Sequence, residues 1–120
     1  MRLVIQSVQS AHVDIVDQSL QKKIGRGVVI YLGIHTDDIT TYPEKIEKII
    51  KKLPTIKFLV GETETIDQSL NDIQGEILLI SNFTVYGRNH KGTKMDFVHS
   101  APFEKAKIIY EYFVSEALKA

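Results

Sequence analysis

The sequence predicts an α+β fold: a mixed β-sheet with two helices packed on it. Three observations lead there. Short β-branched and apolar runs crowd the first third of the chain, two segments at 41–53 and 102–118 carry apolar residues at helical spacing, and strand-like and helix-like stretches do not alternate. The lack of alternation argues against a doubly wound parallel sheet.

Residues 2–8 form an opening strand. In residues 12–16, Val13 and Ile15 alternate with His12 and Asp14, and Asp17, Gln18 and Ser19 supply turn chemistry before the run at 20–24, so a hairpin follows. Residues 27–34 are almost continuously apolar and bounded by Gly25, Gly27 and Gly33. Such a run suits a strand covered on both faces, hence central in its sheet. Thr41, Tyr42, Pro43 and Glu44 match a capping box, with the hydroxyl and the carboxylate each serving an orphan amide at a helix start. Tyr42, Ile46, Ile49, Ile50 and Leu53 share one face of that helix, and Pro54 stops it. Residues 56–60 and 76–84 read as further strands. Pro102 opens the last helix, whose stripe is Phe103, Ala106, Ile109, Tyr110, Phe113, Val114, Ala117 and Leu118. With both helices on one face, the other sheet face needs cover, and a homodimer is the expected source.

The 120 residues, 43% hydrophobic and 25% charged, fit a single domain over 1–120 without repeats or linkers. No cysteine is present, which excludes thiolate nucleophiles, thiolate-bound metals and disulfides. The opening residues are too short an apolar stretch for a signal h-region, and no run approaches the ~20 residues of a membrane span, so a cytoplasmic protein is expected. Fifteen basic and fifteen acidic residues cancel overall but not locally. Lys22, Lys23 and Arg26 cluster, as do Arg88, His90, Lys91 and Lys94, while Glu62, Glu64, Asp67, Asp72 and Glu76 form an acidic stretch.

His12, His35, His90 and His99 stand in four separate segments without metal-ligand spacing, so neither a metal nor a cofactor is expected. Glycine-rich phosphate loops and a G-x-S-x-G elbow are absent. Polar residues do collect at Ser81, Asn82, Phe83 and Thr84, at the end of the apolar run 77–80 and just before the basic segment. Two readings stand for these residues. They line a site whose free backbone N–H groups stabilise an oxyanion, or they end a strand with hydroxyls that satisfy local backbone groups.

These residues also carry a resemblance. Met1-Arg2-Leu3-Val4-Ile5-Gln6-Ser7-Val8, Ile24-Gly25-Arg26-Gly27 before the central strand, Asp67-Gln68-Ser69-Leu70, and Gly75-Glu76 running through Ser81-Asn82-Phe83-Thr84-Val85-Tyr86-Gly87 are similar to the D-aminoacyl-tRNA deacylases (D-tyrosyl-tRNA deacylases). Lys91-Gly92 through Phe97 and Ala101-Pro102 continue the similarity along the rest of the chain. The resemblance implies a homodimeric hydrolase that cleaves the ester between a D-amino acid and the 3′ end of tRNA. It further implies that Ser81, Asn82, Phe83 and Thr84 line the catalytic pocket and that Met95, Asp96 and Phe97 contact the substrate, Phe97 beside the terminal adenosine. Arg88, Lys91 and Lys94 would approach tRNA phosphates. Orientation and oxyanion stabilisation suffice for an already reactive ester, so no metal, Cys or triad is required.

The chain departs from the family pattern at several positions. Asn82 stands for a Gln, Met95-Asp96 for a Pro-Ser pair, Ser7 for an Arg and Gln68 for an Asn. The family continues into a further strand bearing a Gly-Pro pair that excludes L-amino acids, whereas the three prolines here follow Tyr42, Leu53 and Ala101. A shortened chain or a lost chiral filter is the expectation, with an exposed sheet edge. The rival to an active hydrolase is a tRNA-contacting or partner-binding module on the same fold.

Overall fold

A computed structural model describes residues 1–120. The chain runs β1 (Arg2–Val8), β2 (Ala11–Ile15), β3 (Leu20–Ile24), β4 (Gly27–Gly33), α1 (Tyr42–Lys52), β5 (Leu59–Val60), β6 (Ile66–Gln68), α2 (Leu70–Ile73), β7 (Glu76–Ser81), β8 (Arg88–Lys91), β9 (Lys94–Asp96) and α3 (Phe103–Lys119). Strands β1, β4 and β7 make the principal sheet in that spatial order, β1 antiparallel and β7 parallel to β4. The sheet is therefore mixed, and the apolar run at 27–33 is its centre. Gly27 is required there, because a Cβ would lie 1.9 Å from the Glu76 carbonyl oxygen of the neighbouring strand.

Alternation along β4 builds a core on each face. Val28, Ile30 and Leu32 are fully buried on the helical side, where Ile46 of α1 and Ile109 and Phe113 of α3 meet the sheet. Val29 faces the other way and packs with Ile24 and Leu78 beneath the β2–β3 hairpin. The hairpin turns through a 3-10 segment at Val16–Gln18, with Ser19 in the left-handed region at φ 47°. It covers part of the face for which a second copy was expected, whereas Val4 on that face stays 49% exposed.

Three expectations are corrected. The helix at 42–52 forms, but Thr41 makes no side-chain cap; its hydroxyl donates to the Asp37 carbonyl instead (3.1 Å). Thr41 is not in the extended conformation that lets an N-cap side chain reach forward (φ −129°, ψ 1°), because a 3-10 turn at Thr36–Thr40 leads straight into α1. Reciprocal capping boxes occur instead at His35 with Asp38 and at Ser69 with Asp72. The strand expected at 76–84 ends at Ser81, and of 56–60 only Leu59 and Val60 pair, with β6. A short helix, α2, and a β8–β9 hairpin turning at Gly92 (φ 67°) were not anticipated.

Candidate functional site

Strand β7 ends because Asn82 caps the turn after it. Its side-chain oxygen accepts the Thr84 N–H (3.0 Å) and the Thr84 hydroxyl (2.6 Å), opening a 3-10 turn at Phe83–Tyr86. The Asn82 N–H still bonds the Leu32 carbonyl (2.9 Å), so the turn starts flush against β4. Gly33 makes room for it, since a Cβ there would lie 2.7 Å from the Val85 side chain. The Phe83 N–H, first in the turn, has no hydrogen-bond partner within the chain.

Beside this turn lies a cavity of about 570 Å³. Leu32, Ile34 and Ala101, all buried, make its apolar floor, and Ser81, Asn82 and Phe83 form one wall. Phe97, Ser100, Phe103 and Ala106 complete the lining. Phe83 and Phe97 meet edge to face at 5.0 Å, leaving Phe83 60% exposed, and Phe103 is 79% exposed. The cavity is thus an apolar cleft with an open aromatic rim and a few convergent polar groups, the profile of a small-molecule site.

The structure brings Ser81, Asn82, Phe83 and Phe97 together around the cavity. Thr84 sits one step behind, hydrogen-bonded to Asn82 and exposed. Met95 and Asp96 do not line the cavity. Arg88 is engaged: its Nε donates to both oxygens of Asp96 at 2.9 and 3.1 Å, across β8 and β9. These bonds hold the Asp96 carboxyl below the usual carboxylate range, so it stays ionised and the pair is neutral. Lys91 and Lys94 face each other across the hairpin tip, exposed and without acidic partners. They make the positive end of this edge.

The scaffold under the site is more constrained than its residues suggest in sequence. The turn 97–101 is sewn to the exit of β4 by Thr36 N–H to His99 carbonyl (3.0 Å) and Ala101 N–H to Ile34 carbonyl (2.8 Å). His35 stacks on His99 at 5.3 Å and meets the Tyr86 edge at 5.2 Å, while the Arg2 guanidinium lies 4.5 Å from the Tyr86 ring centre. Below them Asp38, fully buried, accepts from the His35 N–H (2.8 Å), the Met1 ammonium (2.7 Å) and the Lys45 ammonium (2.6 Å). Burial pushes the Asp38 carboxyl up, but Lys45, the Met1 ammonium and the His35 N–H outweigh it and hold the pKa below the ordinary value.

Sequence reasoning did not single out Ser100, and it placed Phe103 on the packed stripe of the last helix, whereas the structure leaves that ring exposed at the cavity rim. The polar pair His99-Ser100 directly before the helix opening at Pro102 was the available signal. Asp38 offered none beyond its place in an acidic pair.

The D-Tyr-tRNA(Tyr) deacylase family model matches residues 4–120. The D-aminoacyl-tRNA deacylase of Caldicellulosiruptor saccharolyticus is 40% identical over 119 residues, 99% of this chain and 76% of the relative. That of Thermosipho melanesiensis is 36% identical, over 99% of this chain and 77% of its own. Among solved structures, a c-Myc DNA unwinding element binding protein superposes with a TM-score of 0.80 at 29% identity, over 99% of this chain and 77% of that one. A probable eukaryotic D-amino acid tRNA deacylase shares the fold, with a TM-score of 0.79 at 20% identity, over 96% and 65%.

Proposed function

The chain belongs to the D-Tyr-tRNA(Tyr) deacylase family, and on that premise and the cavity's geometry we propose that it hydrolyses D-aminoacyl-tRNA, a step of translation quality control. Water adds to the ester carbonyl carbon, the bond to the ribose oxygen breaks, that oxygen takes up a proton, and a free D-amino acid and tRNA leave. The observation that carries the reading is the unbonded Phe83 N–H at the edge of an apolar cleft. In this reading the donor meets the negative charge on the carbonyl oxygen as the tetrahedral intermediate forms, and one oxyanion donor is worth roughly 10²–10³ in rate.

The neighbouring residues take supporting roles. Because the Thr84 hydroxyl donates to Asn82, its lone pairs are left to accept from water or from the substrate's ammonium. Ser81 lines the entrance, and the Phe83 and Phe97 rings flank the terminal nucleoside. Lys91 and Lys94 approach phosphates, with Met95 and the neutral Arg88–Asp96 pair beside them. A second copy covers the strip around Val4 and Tyr31 that the β2–β3 hairpin leaves open, and a reaction on aminoacyl-tRNA places the protein in the cytoplasm. No helix is long and apolar enough to cross a membrane.

Single-turnover hydrolysis of D-Tyr-tRNA and L-Tyr-tRNA tests the reading, with light scattering on the same sample. Release from D-Tyr-tRNA supports it, and Thr84→Ala and Asn82→Ala are expected to slow release more than tenfold. Asn82→Ala also costs about 1 kcal/mol of stability through the lost cap. A folded protein that binds tRNA but releases nothing overturns the hydrolase in favour of a binding module, and a mass of 13.6 kDa overturns the dimer.

A further inference from the structure

We propose that Ser100 is a positioning residue of this site: its hydroxyl holds the Phe83–Thr84 peptide and thereby fixes the adjacent free Phe83 N–H. The proposal rests on the hydrolytic reading above for its kinetic consequence, but its geometry stands alone. The Ser100 hydroxyl donates to the Phe83 carbonyl at 2.7 Å, across 17 residues of sequence. At the other end of the same peptide the Thr84 N–H donates to Asn82 at 3.0 Å. One peptide plane is therefore clamped from two sides.

The Asn82–Phe83 peptide that carries the free N–H has one hydrogen bond of its own, the long Val85 N–H to the Asn82 carbonyl (3.3 Å), and the 2.7 Å Ser100 bond on the next peptide adds the closer restraint. The Phe83 side chain is 60% exposed, and short 3-10 turns have poor hydrogen-bond geometry of their own. Ser100 is different. Its own N–H bonds the Phe97 carbonyl (3.0 Å), it bridges to His35, and the bonds of His99 and Ala101 tie its neighbours to the end of β4. Pro102 fixes the chain just beyond it. The hydroxyl is delivered from the rigid centre of the sheet to its exposed edge, the arrangement a precisely held donor requires.

A carbonyl held on one side of the Phe83 α-carbon restricts rotation of the N–H on the other. Misplacement of a catalytic group by about 1 Å costs on the order of 10²-fold in rate, so loss of the clamp shows in kcat. The hydrogen bond is exposed and contributes about 1 kcal/mol or less to stability. Rate and stability separate at this position.

The test compares wild type, Ser100→Ala and Ser100→Thr on D-Tyr-tRNA, with amide NMR spectra of the same ¹⁵N-labelled proteins. For Ser100→Ala we expect kcat to fall at least tenfold with KM within twofold, Tm to drop by no more than about 4 °C, and the Phe83 and Thr84 amide resonances to move. Ser100→Thr keeps the hydroxyl and should recover kcat to within threefold and restore both resonances. Wild-type kcat in Ser100→Ala, or unmoved Phe83 and Thr84 resonances, overturns the proposal. A wild-type protein that releases no amino acid overturns the hydrolytic reading instead, and the amide resonances still decide the clamp.

Discussion

Asp38→Asn is the sharpest probe of the scaffold that holds the site. Asn keeps one carbonyl oxygen, the one the His35 N–H and the Met1 ammonium share, but loses the negative charge and turns the other oxygen into an NH₂ donor facing the Lys45 ammonium. The Met1 side chain is 2% exposed but the residue as a whole is only half-buried, so its ammonium, 2.7 Å from Asp38, is left charged and partly desolvated without a counter-ion. Breaking a fully buried pair costs about 3–5 kcal/mol, and the partial exposure of the ammonium puts this one at the low end, about 3 kcal/mol. The Lys45 arm is 43% exposed and screened, and adds only about 0.5–1 kcal/mol. Taking about 3.5–4 kcal/mol in total, at roughly 4 °C per kcal/mol for a chain of this size, Tm should fall by about 14–16 °C, against about 2–4 °C for Lys45→Ala. Thermal and urea unfolding at pH 7 and at low pH supply the assay. The folded pKa of Asp38 is lowered, so its contribution is complete above the unfolded value of about 3.9 and is lost as pH falls through the folded value. The gap between wild type and Asp38→Asn must therefore close in acid. A variant within about 1 kcal/mol of wild type at pH 7, or a gap that persists in acid, refutes the reasoning.

Gly33→Ala places a Cβ 2.7 Å from Val85 and 3.1 Å from the Tyr86 ring, so the turn at 83–86 must shift. A loss of about 1–3 kcal/mol and slower release from D-Tyr-tRNA are expected; a melt and a single-turnover assay on one preparation check both. Lys91→Glu with Lys94→Glu should weaken tRNA binding and flatten its dependence on log salt by roughly 0.7–0.9 for each phosphate no longer neutralised. Arg88→Ala should change that slope little, because Arg88 already answers Asp96. Equal slopes for wild type and the double variant in a salt titration of binding would remove the lysines from the interface.

The hairpin at 11–24, the central strand and the last helix were legible because each is dictated by local periodicity. Val13 and Ile15 alternate, 27–33 is apolar throughout, and Ile109 and Phe113 recur one helical turn apart and are buried. The capping box at Thr41 misled because pattern alone does not report the backbone conformation that the preceding 3-10 turn imposes. The end of β7 was overrun for a similar reason: Phe83, Thr84 and Val85 favour strands, and the Asn82 cap overrides that preference. Within the site, the polar group at the strand end could be read directly. Ser100 could not, since its partner is 17 residues away, and the Arg88–Asp96 pair exists only once β8 folds back on β9.

The parallel pairing of β4 with β7 also sets the order of assembly. Strand β1 meets β4 across one local hairpin unit, but β7 can dock only after residues 34–75 have been looped out, and that closure entropy is spent before the contacts repay it. Every polar wall of the cavity lies at or beyond the end of β7, while two of its three floor residues, Leu32 in the early strand and Ile34 just after it, come from the early part of the chain. The cleft is consequently completed on the native side of the folding barrier. Substitutions in its walls, Ser81 and Ser100 among them, should quicken unfolding while leaving the folding limb of a chevron nearly where it was, and the reverse pattern at Ile30 would mark the nucleus.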